Sequence, residues 1–120
     1  MPDAPTISVS FPAAPEFLRL VRLATADVAS RAGFDYEEID DLRIGTSELC
    51  SMISGAADAV VRLDFAYDDV SVSVQGTADP GALVVNELSE AIVRAVVDEY
   101  EIMHENGVAT FHASKRTRNR

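Results

Sequence analysis

Few side chains in this sequence have both the type and the spacing that chemistry requires. Glu48 falls inside a predicted helix, where a carboxylate could serve as a base but is equally an ordinary residue of a solvated helix surface. His104 and His112 flank a predicted turn and could face each other across a hairpin, although two histidines without carboxylate support seldom form a metal site. Cys50 is the only cysteine, which excludes an internal disulfide and favours inert packing over a nucleophilic role. These residues alone predict no reaction.

A dense acidic cluster marks the start of the predicted helix that carries Glu48. Its members are Asp35, Glu37, Glu38, Asp40 and Asp41. Asp35 suits the N-cap position, and Glu38, three residues later, would complete a capping box. Because the helix dipole favours negative charge at the N-terminus, we interpret the cluster as structural, with a docking patch as the alternative.

The distribution of charge excludes several classes of partner. The 120 residues include ten Lys or Arg and twenty Asp or Glu, a formal net charge of −10. Four of the basic residues lie in the last six positions, so residues 1–114 carry six basic against twenty acidic residues, a net of −14. Such a body repels nucleic acid and anionic lipid, because binding either one begins with neutralising phosphates. We expect neither as a partner, and we expect the basic tail at 115–120 to be solvated and disordered.

Length and composition predict one globular domain over residues 1–120. Hydrophobic residues make up 48% of the chain and charged residues 25%, which is the profile of a folded protein. The N-terminus lacks the residue order of a secretory signal, and no apolar run approaches the roughly 18–20 residues that span a bilayer. We therefore expect a cytoplasmic protein that does not contact a membrane.

Hydrophobic periodicity divides the chain into eight predicted elements. These are a strand at 6–11, helices at 15–33 and 35–55, strands at 59–66 and 70–74, a helix at 83–97, and strands at 98–103 and 108–113. Leu18 and Leu20 widen the apolar stripe of the first helix, and Asn106-Gly107 is a strong hairpin signal. The order β-α-α-β-β-α-β-β predicts the α+β class, with a mostly antiparallel sheet of about five strands and three helices packed on one face.

This order, at this length, resembles the GHKL (histidine kinase/HSP90-like) ATPase domains of the bacterial anti-sigma-factor serine-kinase family. The similarity runs from about residue 7 to residue 116 and rests on short stretches that come in the expected order. Those stretches are residues 11–13, 33–34, 36–44, 47–50 and 96–102. The resemblance implies the two-layer Bergerat-type sandwich of that family, a role in transcription regulation, and a serine kinase that uses ATP and Mg²⁺.

In that family, a Glu and an Asn one turn apart on a helix supply a base and a Mg²⁺ ligand. Here Glu48 occupies the Glu position, which is the family's general-base position, but Met52 occupies the Asn position. A thioether is a soft, poor ligand for a hard cation. The resemblance therefore predicts a site that has lost its hold on the metal.

The adenine and phosphate contacts of the family are also changed. Val74 takes the position of an Asp that binds the adenine amino group, with Gly76 in register after it, and valine offers no acceptor. A glycine-rich lid follows in the family, but only about ten residues separate Gln75 from the next helix, with Gly81 the one glycine after Gly76 in that stretch. We predict that no residue is catalytic and that neither metal nor cofactor is bound. The predicted remnant pocket consists of Glu48, Met52, Val74, Gly76 and Asp79.

What remains of the family's activity is protein binding, and the resemblance implies a sigma factor, its antagonist protein, or both as partners. The exposed side of the first helix would carry part of the interface, through Arg19, Arg22, Leu23 and Asp27. An acidic body could also compete with DNA for the basic surface of a sigma factor. We predict an anti-sigma-factor-like domain that sequesters its partner and is not an enzyme.

Two alternatives are retained. One is an active ATP-dependent serine/threonine kinase of an anti-sigma-factor antagonist, with Mg²⁺ held by Glu48 and Asp79. The other is a scaffold that only dimerises. Members of the family often dimerise through the sheet, and an exposed edge of the first strand is compatible with a homodimer.

Overall fold

Within the residues that the structure describes, 6–54 and 58–118, five strands form one antiparallel sheet, and three α-helices pack on one face of it. The elements of this computed structural model are β1 (Thr6–Pro12), a 3-10 helix (Pro15–Phe17), α1 (Leu18–Arg31), α2 (Tyr36–Ile53), β2 (Val60–Tyr67), β3 (Ser71–Asp79), α3 (Glu87–Val96), β4 (Glu99–Glu105) and β5 (Val108–Arg116). The strand order is β1-β2-β3-β5-β4, and each neighbouring pair is antiparallel. The predicted α+β class and element order are confirmed. None of the described helices has the length and apolar character needed to cross a membrane.

The alternation of side chains along each strand decides which face of the sheet is buried. In β3, Val72, Val74 and Ala78 have no exposed surface, and they belong to the core beneath the helices. Ser73 and Gln75 point the other way, and Gln75 is exposed. The core therefore fills the space between the helix layer and one face of the sheet, while the open face is polar.

α2 is the central helix, and it begins with the predicted capping box. The Asp35 carboxylate accepts a hydrogen bond from the Glu38 amide at 2.9 Å, and the Glu38 carboxylate accepts one from the Asp35 amide at 3.0 Å. Leu42, one turn further, is fully buried. Gly45 allows α3 to approach, because a Cβ at this position would lie 2.7 Å from the Val97 Cγ1 atom.

The prediction of a disordered tail at 115–120 is wrong for its first four residues, and residues 119–120 lie outside the described part of the chain. Lys115 and Arg116 complete β5. The buried Glu38 carboxylate then accepts hydrogen bonds from the Thr117 hydroxyl at 2.9 Å and from the Arg118 amide at 2.6 Å. We call this contact of Glu38 with Thr117 and Arg118 the C-terminal clasp. The composition indicated a solvated end because it shows only the charge of these residues. It does not show that they bind the buried Glu38 carboxylate.

The hairpin between β4 and β5 turns at the predicted Asn106-Gly107 pair. Both residues have a positive φ, 53° for Asn106 and 76° for Gly107. A two-residue type I′ turn requires a positive φ at both positions, which asparagine and glycine tolerate best. The turn therefore fixes the register of β4 against β5.

Candidate functional site

The two residues that the resemblance places at metal-binding positions, Glu48 and Met52, have different surroundings, although they lie one turn apart on α2. Met52 is 2% exposed and belongs to the hydrophobic core, where its unbranched side chain can fill irregular space. Glu48 is half-buried, and within the described residues its carboxylate forms neither a hydrogen bond nor an ion pair. α2 therefore presents one free carboxylate near its surface and directs a thioether into the core.

The segment between β3 and α3 packs directly against the last turn of α2. The Val84 amide donates a hydrogen bond to the Met52 carbonyl at 2.8 Å, and Ala82 forms a parallel β-bridge with Ser54. At the start of the segment, the Gly81 amide donates at 2.8 Å to a carbonyl in the β4–β5 turn. A phosphate-binding lid needs unpaired backbone N–H groups, and the amides of Gly81 and Val84 are already paired within the protein.

The other three predicted pocket residues lie on β3. Val74 is fully buried and has no acceptor for an adenine amino group. Gly76 lies against the Phe111 ring, with which any side chain at this position would collide. Asp79 is exposed at the end of the strand. Two cavities in the described residues, one beside Phe11 and Leu18 and one beside Gln75, are lined by none of the five predicted pocket residues.

The nucleotide and metal that the family uses do not fit the residues at these positions. Met52 and Val74, which the resemblance places at two polar contact positions, are buried apolar side chains. In the described part of the chain, no group of three or more His, Cys, Asp or Glu residues is placed to hold a metal ion. Mg²⁺ requires several oxygen ligands in near-octahedral geometry, and the free Glu48 carboxylate supplies only part of such a set.

The exposed side of α1 carries the four residues predicted to contact a partner. Leu23 is 63% exposed. Arg19 and Arg22 are exposed, and neither has an ion pair or a hydrogen bond within the described residues. Asp27 instead pairs with Arg31, with 2.7 Å between Nε and Oδ2. The helix therefore presents two unpaired guanidinium groups beside an exposed leucine.

The prediction that Leu20 widens the buried stripe of the first helix is wrong. Its side chain is 38% exposed. α1 buries the face that carries Val21, Thr25 and Val28, and Leu20 lies about 100° around the helix from Val21. A helical wheel that included every leucine would have predicted that Leu20 is exposed. We call the exposed group of Arg19, Leu20, Arg22 and Leu23 the α1 surface.

The two histidines and the cysteine do not form a site. In the β4–β5 register His104 is opposite the buried Ala109, and its Nε2 lies 3.1 Å from the Gly81 carbonyl oxygen. His112 is exposed on the open face of the sheet, so the histidines do not face each other, and the alternative of a metal site between them is excluded. Cys50 is buried, and burial raises the pKa of its thiol to about 12, which confirms an inert packing role.

The acidic cluster at the start of α2 is engaged by the C-terminal end of the chain. The Arg118 Nη2 atom lies 2.8 Å from the Glu37 carboxylate, and the Lys115 Nζ atom lies 3.8 Å from the Asp41 carboxylate. Together with the capping box, these contacts give the cluster partners inside the protein. They favour the structural interpretation over a docking patch.

The chain is similar to bacterial proteins named serine-protein kinase RsbW. No family model matches it. RsbW of Listeria monocytogenes serovar 1/2a is 28% identical over 129 aligned positions, covering 86% of this chain and 82% of that protein. RsbW of Bacillus cereus strain G9842 is 28% identical over 127 positions, covering 85% and 79%. A shorter match to RsbW of Bacillus subtilis strain 168 is 45% identical over 49 residues, 41% of this chain and 31% of that protein.

A solved structure has the same fold. The crystal structure of the RsbU and RsbW domains of Rv1364c from Mycobacterium tuberculosis matches with a TM-score of 0.71 and 24% sequence identity. The match covers 93% of this chain and 32% of the solved chain, so this chain spans about a third of that protein's length. The likeness confirms the arrangement of sheet and helices.

Proposed function

Because the chain is similar to proteins named serine-protein kinase RsbW, we propose that it is a member of the GHKL-type anti-sigma-factor serine-kinase family and a protein-binding regulator of transcription whose nucleotide site has been lost. Its partner in this proposal is a sigma factor, the antagonist protein that competes for it, or both. One observation carries the proposal: the segment at the position of the family's lid is bonded to α2 through the Val84 amide and the Met52 carbonyl. That bond uses backbone groups of the lid region inside the protein instead of leaving them for a phosphate.

The charge distribution supports a protein partner. The chain has a formal net charge of −10, and a protein with a basic DNA-contacting surface would be attracted to it. The α1 surface is a local exception to this negative charge, because two unpaired arginines lie beside two exposed leucines. A partner whose basic surface lies against the acidic body could not present that surface to DNA, and sequestration would follow.

Charge reversal on the α1 surface tests the proposal. The double variant Arg19→Glu, Leu23→Glu should weaken binding to the cognate sigma factor or antagonist by roughly tenfold or more, because it reverses one charge and replaces an apolar contact with a second negative charge. The measurement is a calorimetric titration with purified sigma factors and antagonist proteins of the same organism.

The control is Arg62→Glu, which makes the same arginine-to-glutamate change at an exposed residue on the open face of the sheet. It should bind as the wild type does. The proposal is overturned if the wild type binds none of these proteins, or if the α1 double variant binds them as tightly as the control.

An active kinase is the second candidate. It is favoured by the free, half-buried carboxylate of Glu48 and by the names of the relatives, which are serine-protein kinases. If this candidate is correct, Glu48→Ala should abolish transfer of labelled phosphate from ATP to the antagonist. Glu87→Ala, at an exposed glutamate in the first turn of α3, should leave the transfer intact. Under our proposal the wild type transfers no label.

A further inference from the structure

A cleft lies where the end of β1, the 3-10 helix and the last turns of α2 meet. Its volume is about 180 Å³. Phe11, Ala13 and Leu18 line one side, and α2 contributes Cys50, Ser51 and Ser54. None of the residues of the remnant nucleotide pocket lines it. The cleft is therefore a separate feature at the start of α1.

The wall of the cleft is effectively apolar although it contains two serines and a cysteine. The Ser51 hydroxyl donates to the Ser47 carbonyl at 3.1 Å, and the Ser54 hydroxyl donates to the Cys50 carbonyl at 2.7 Å. The Cys50 thiol is neutral at physiological pH, since burial raises its pKa to about 12. With its donors satisfied and no charge on its wall, the cleft favours an apolar group.

The volume of the cleft suits one side chain. A dry apolar cavity of about 150 Å³ is large enough to bind benzene, so a cleft of about 180 Å³ can receive a leucine, methionine or phenylalanine. Burying such a side chain strengthens binding by roughly ten- to a hundredfold. That is enough for a single anchoring residue in a larger protein interface.

The charges around the cleft are unevenly distributed. Arg19 follows Leu18 directly, and Arg22 lies one turn after Leu18 on the same face of α1. Within the described residues neither arginine has an acidic partner. Two exposed carboxylates, Glu16 and Asp58, belong to the side where the 3-10 helix and the start of β2 lie. The α1 side of the cleft therefore attracts carboxylates and the other side repels them.

We infer that the cleft receives one leucine, methionine or phenylalanine side chain from an acidic segment of a partner protein, whose carboxylates pair with Arg19 and Arg22. The inference rests on the proposed function, because it gives the chemistry of the partner segment that meets α1. In this arrangement the cleft holds the apolar anchor and the α1 surface holds the charged flank.

A synthetic probe tests this chemistry directly. The probe is a short peptide with one phenylalanine flanked by glutamates on one side, titrated against the full chain while amide resonances are followed by NMR. We expect saturable shifts at the Ser51 and Ser54 amides. Replacing the peptide's phenylalanine with alanine, or its glutamates with lysines, should weaken binding roughly tenfold or more. The inference is overturned if the peptide gives no saturable shift or if the lysine peptide binds equally well. It is also overturned if benzene saturates the cleft and the peptide does not.

Variants of the chain provide a second test with the same peptide. Ser51→Leu fills the cleft from an exposed helix position, and leucine favours helices more than serine does. Arg22→Glu reverses the charge beside the cleft and leaves its volume unchanged. Both should weaken peptide binding roughly tenfold or more. The control is Ser30→Leu, the same substitution at an exposed serine in the last turn of α1. Binding by either test variant that equals the control overturns the inference.

Capture of the natural partner separates this inference from the proposed function. If the wild type binds a sigma factor or antagonist and Ser51→Leu binds it equally well, the inference fails and the proposed function stands. If the wild type binds neither protein while the acidic peptide still occupies the cleft, the proposed function fails and the chemistry of the cleft stands.

Discussion

A carboxylate with no exposed surface stands at the start of α2. Glu38 accepts hydrogen bonds from the Asp35 amide, the Thr117 hydroxyl and the Arg118 amide. Burial by itself raises the pKa of Glu38, but the hydrogen bonds from Arg118, Asp35 and Thr117 outweigh it, and the net pKa is lowered. One side chain therefore both caps α2 and holds the end of β5.

Replacing this carboxylate with an amide should destabilise the fold. In Glu38→Gln, the amide NH₂ would meet donors that now meet carboxylate oxygens, and we expect the free energy of unfolding to fall by about 2 kcal/mol. Urea denaturation followed by circular dichroism measures it. Glu37→Gln is the control, because Glu37 is 70% exposed and surface pairs contribute about 0–1 kcal/mol. An equal loss in both variants would contradict the role assigned to the C-terminal clasp.

The lowered pKa of Glu38 also predicts how stability depends on pH. The pKa of Glu38 in the folded state lies below the value of 4.5 for an unperturbed glutamate. The carboxylate therefore contributes its full stabilisation above that value, and the contribution is lost as pH falls through it toward the folded-state pKa. We expect the difference in unfolding free energy between the wild type and Glu38→Gln to shrink below pH 4.5. A difference that stays constant down to pH 3 in the same denaturation series would show that the side chain acts through packing alone.

At the scale of elements, β3 and β5 pack through a cross-strand pair whose two side chains differ greatly in size. Gly76 and Phe111 are cross-strand partners, and the ring fills the space that a side chain on Gly76 would need. The resemblance aligns this glycine with a glycine turn of the family, but in this chain Gly76 accommodates an aromatic ring. Its role here is therefore explained by core packing.

Gly76→Ala should lower the free energy of unfolding and leave partner binding unchanged. The new methyl group would overlap the ring, and overpacking a core in this way costs about 1–3 kcal/mol. Phe111→Leu alone should also destabilise, but the double variant should recover part of the loss, because the smaller leucine makes room for the methyl group. The interaction energy comes from a thermal-denaturation cycle of the four proteins. Additive losses would mean that the two residues do not compete for one space.

Elements that depend on neighbouring residues could be predicted from the sequence. The capping box joins Asp35 and Glu38, three residues apart, and the type I′ turn needs only Asn106 and Gly107. The C-terminal clasp could not be predicted, since it joins Glu38 to Thr117, 79 positions away. The local sequence pattern of neither segment predicts this contact, because the contact forms only when the fold places the end of β5 beside α2.

The same distinction separates the parts of the candidate site. The placement of Met52 at the position of the family's metal ligand could be predicted from the sequence, because that prediction needs only residue type and helical spacing. The bond from the Val84 amide to the Met52 carbonyl and the cleft beside Leu18 required the structure. Both arise where loops meet α2, and loop conformation has no periodicity from which it could be inferred.

At the scale of the whole molecule, the helix layer carries both surfaces proposed for partner binding, while the open face of the sheet is polar. β1 lies at the edge of the sheet, and an edge strand offers unpaired backbone groups to another chain. A homodimer through the sheet stays a prediction. Sedimentation over a range of concentrations would test it independently of sigma-factor binding.

At the scale of the whole molecule, nucleotide binding at any site raises the free energy of unfolding. A ligand present at 100 times its dissociation constant adds about 2.7 kcal/mol to the unfolding free energy, which for a domain of this size raises Tm by roughly 10 °C. Because Met52 and Val74 are buried apolar side chains and the amides of Gly81 and Val84 are already paired within the protein, we expect millimolar Mg²⁺-ATP to change Tm by less than about 1 °C. The measurement is differential scanning calorimetry, with Glu48→Ala as the control. A rise of several degrees that Glu48→Ala removes would make the kinase the correct candidate, since only a site that uses this carboxylate would lose the ligand's contribution.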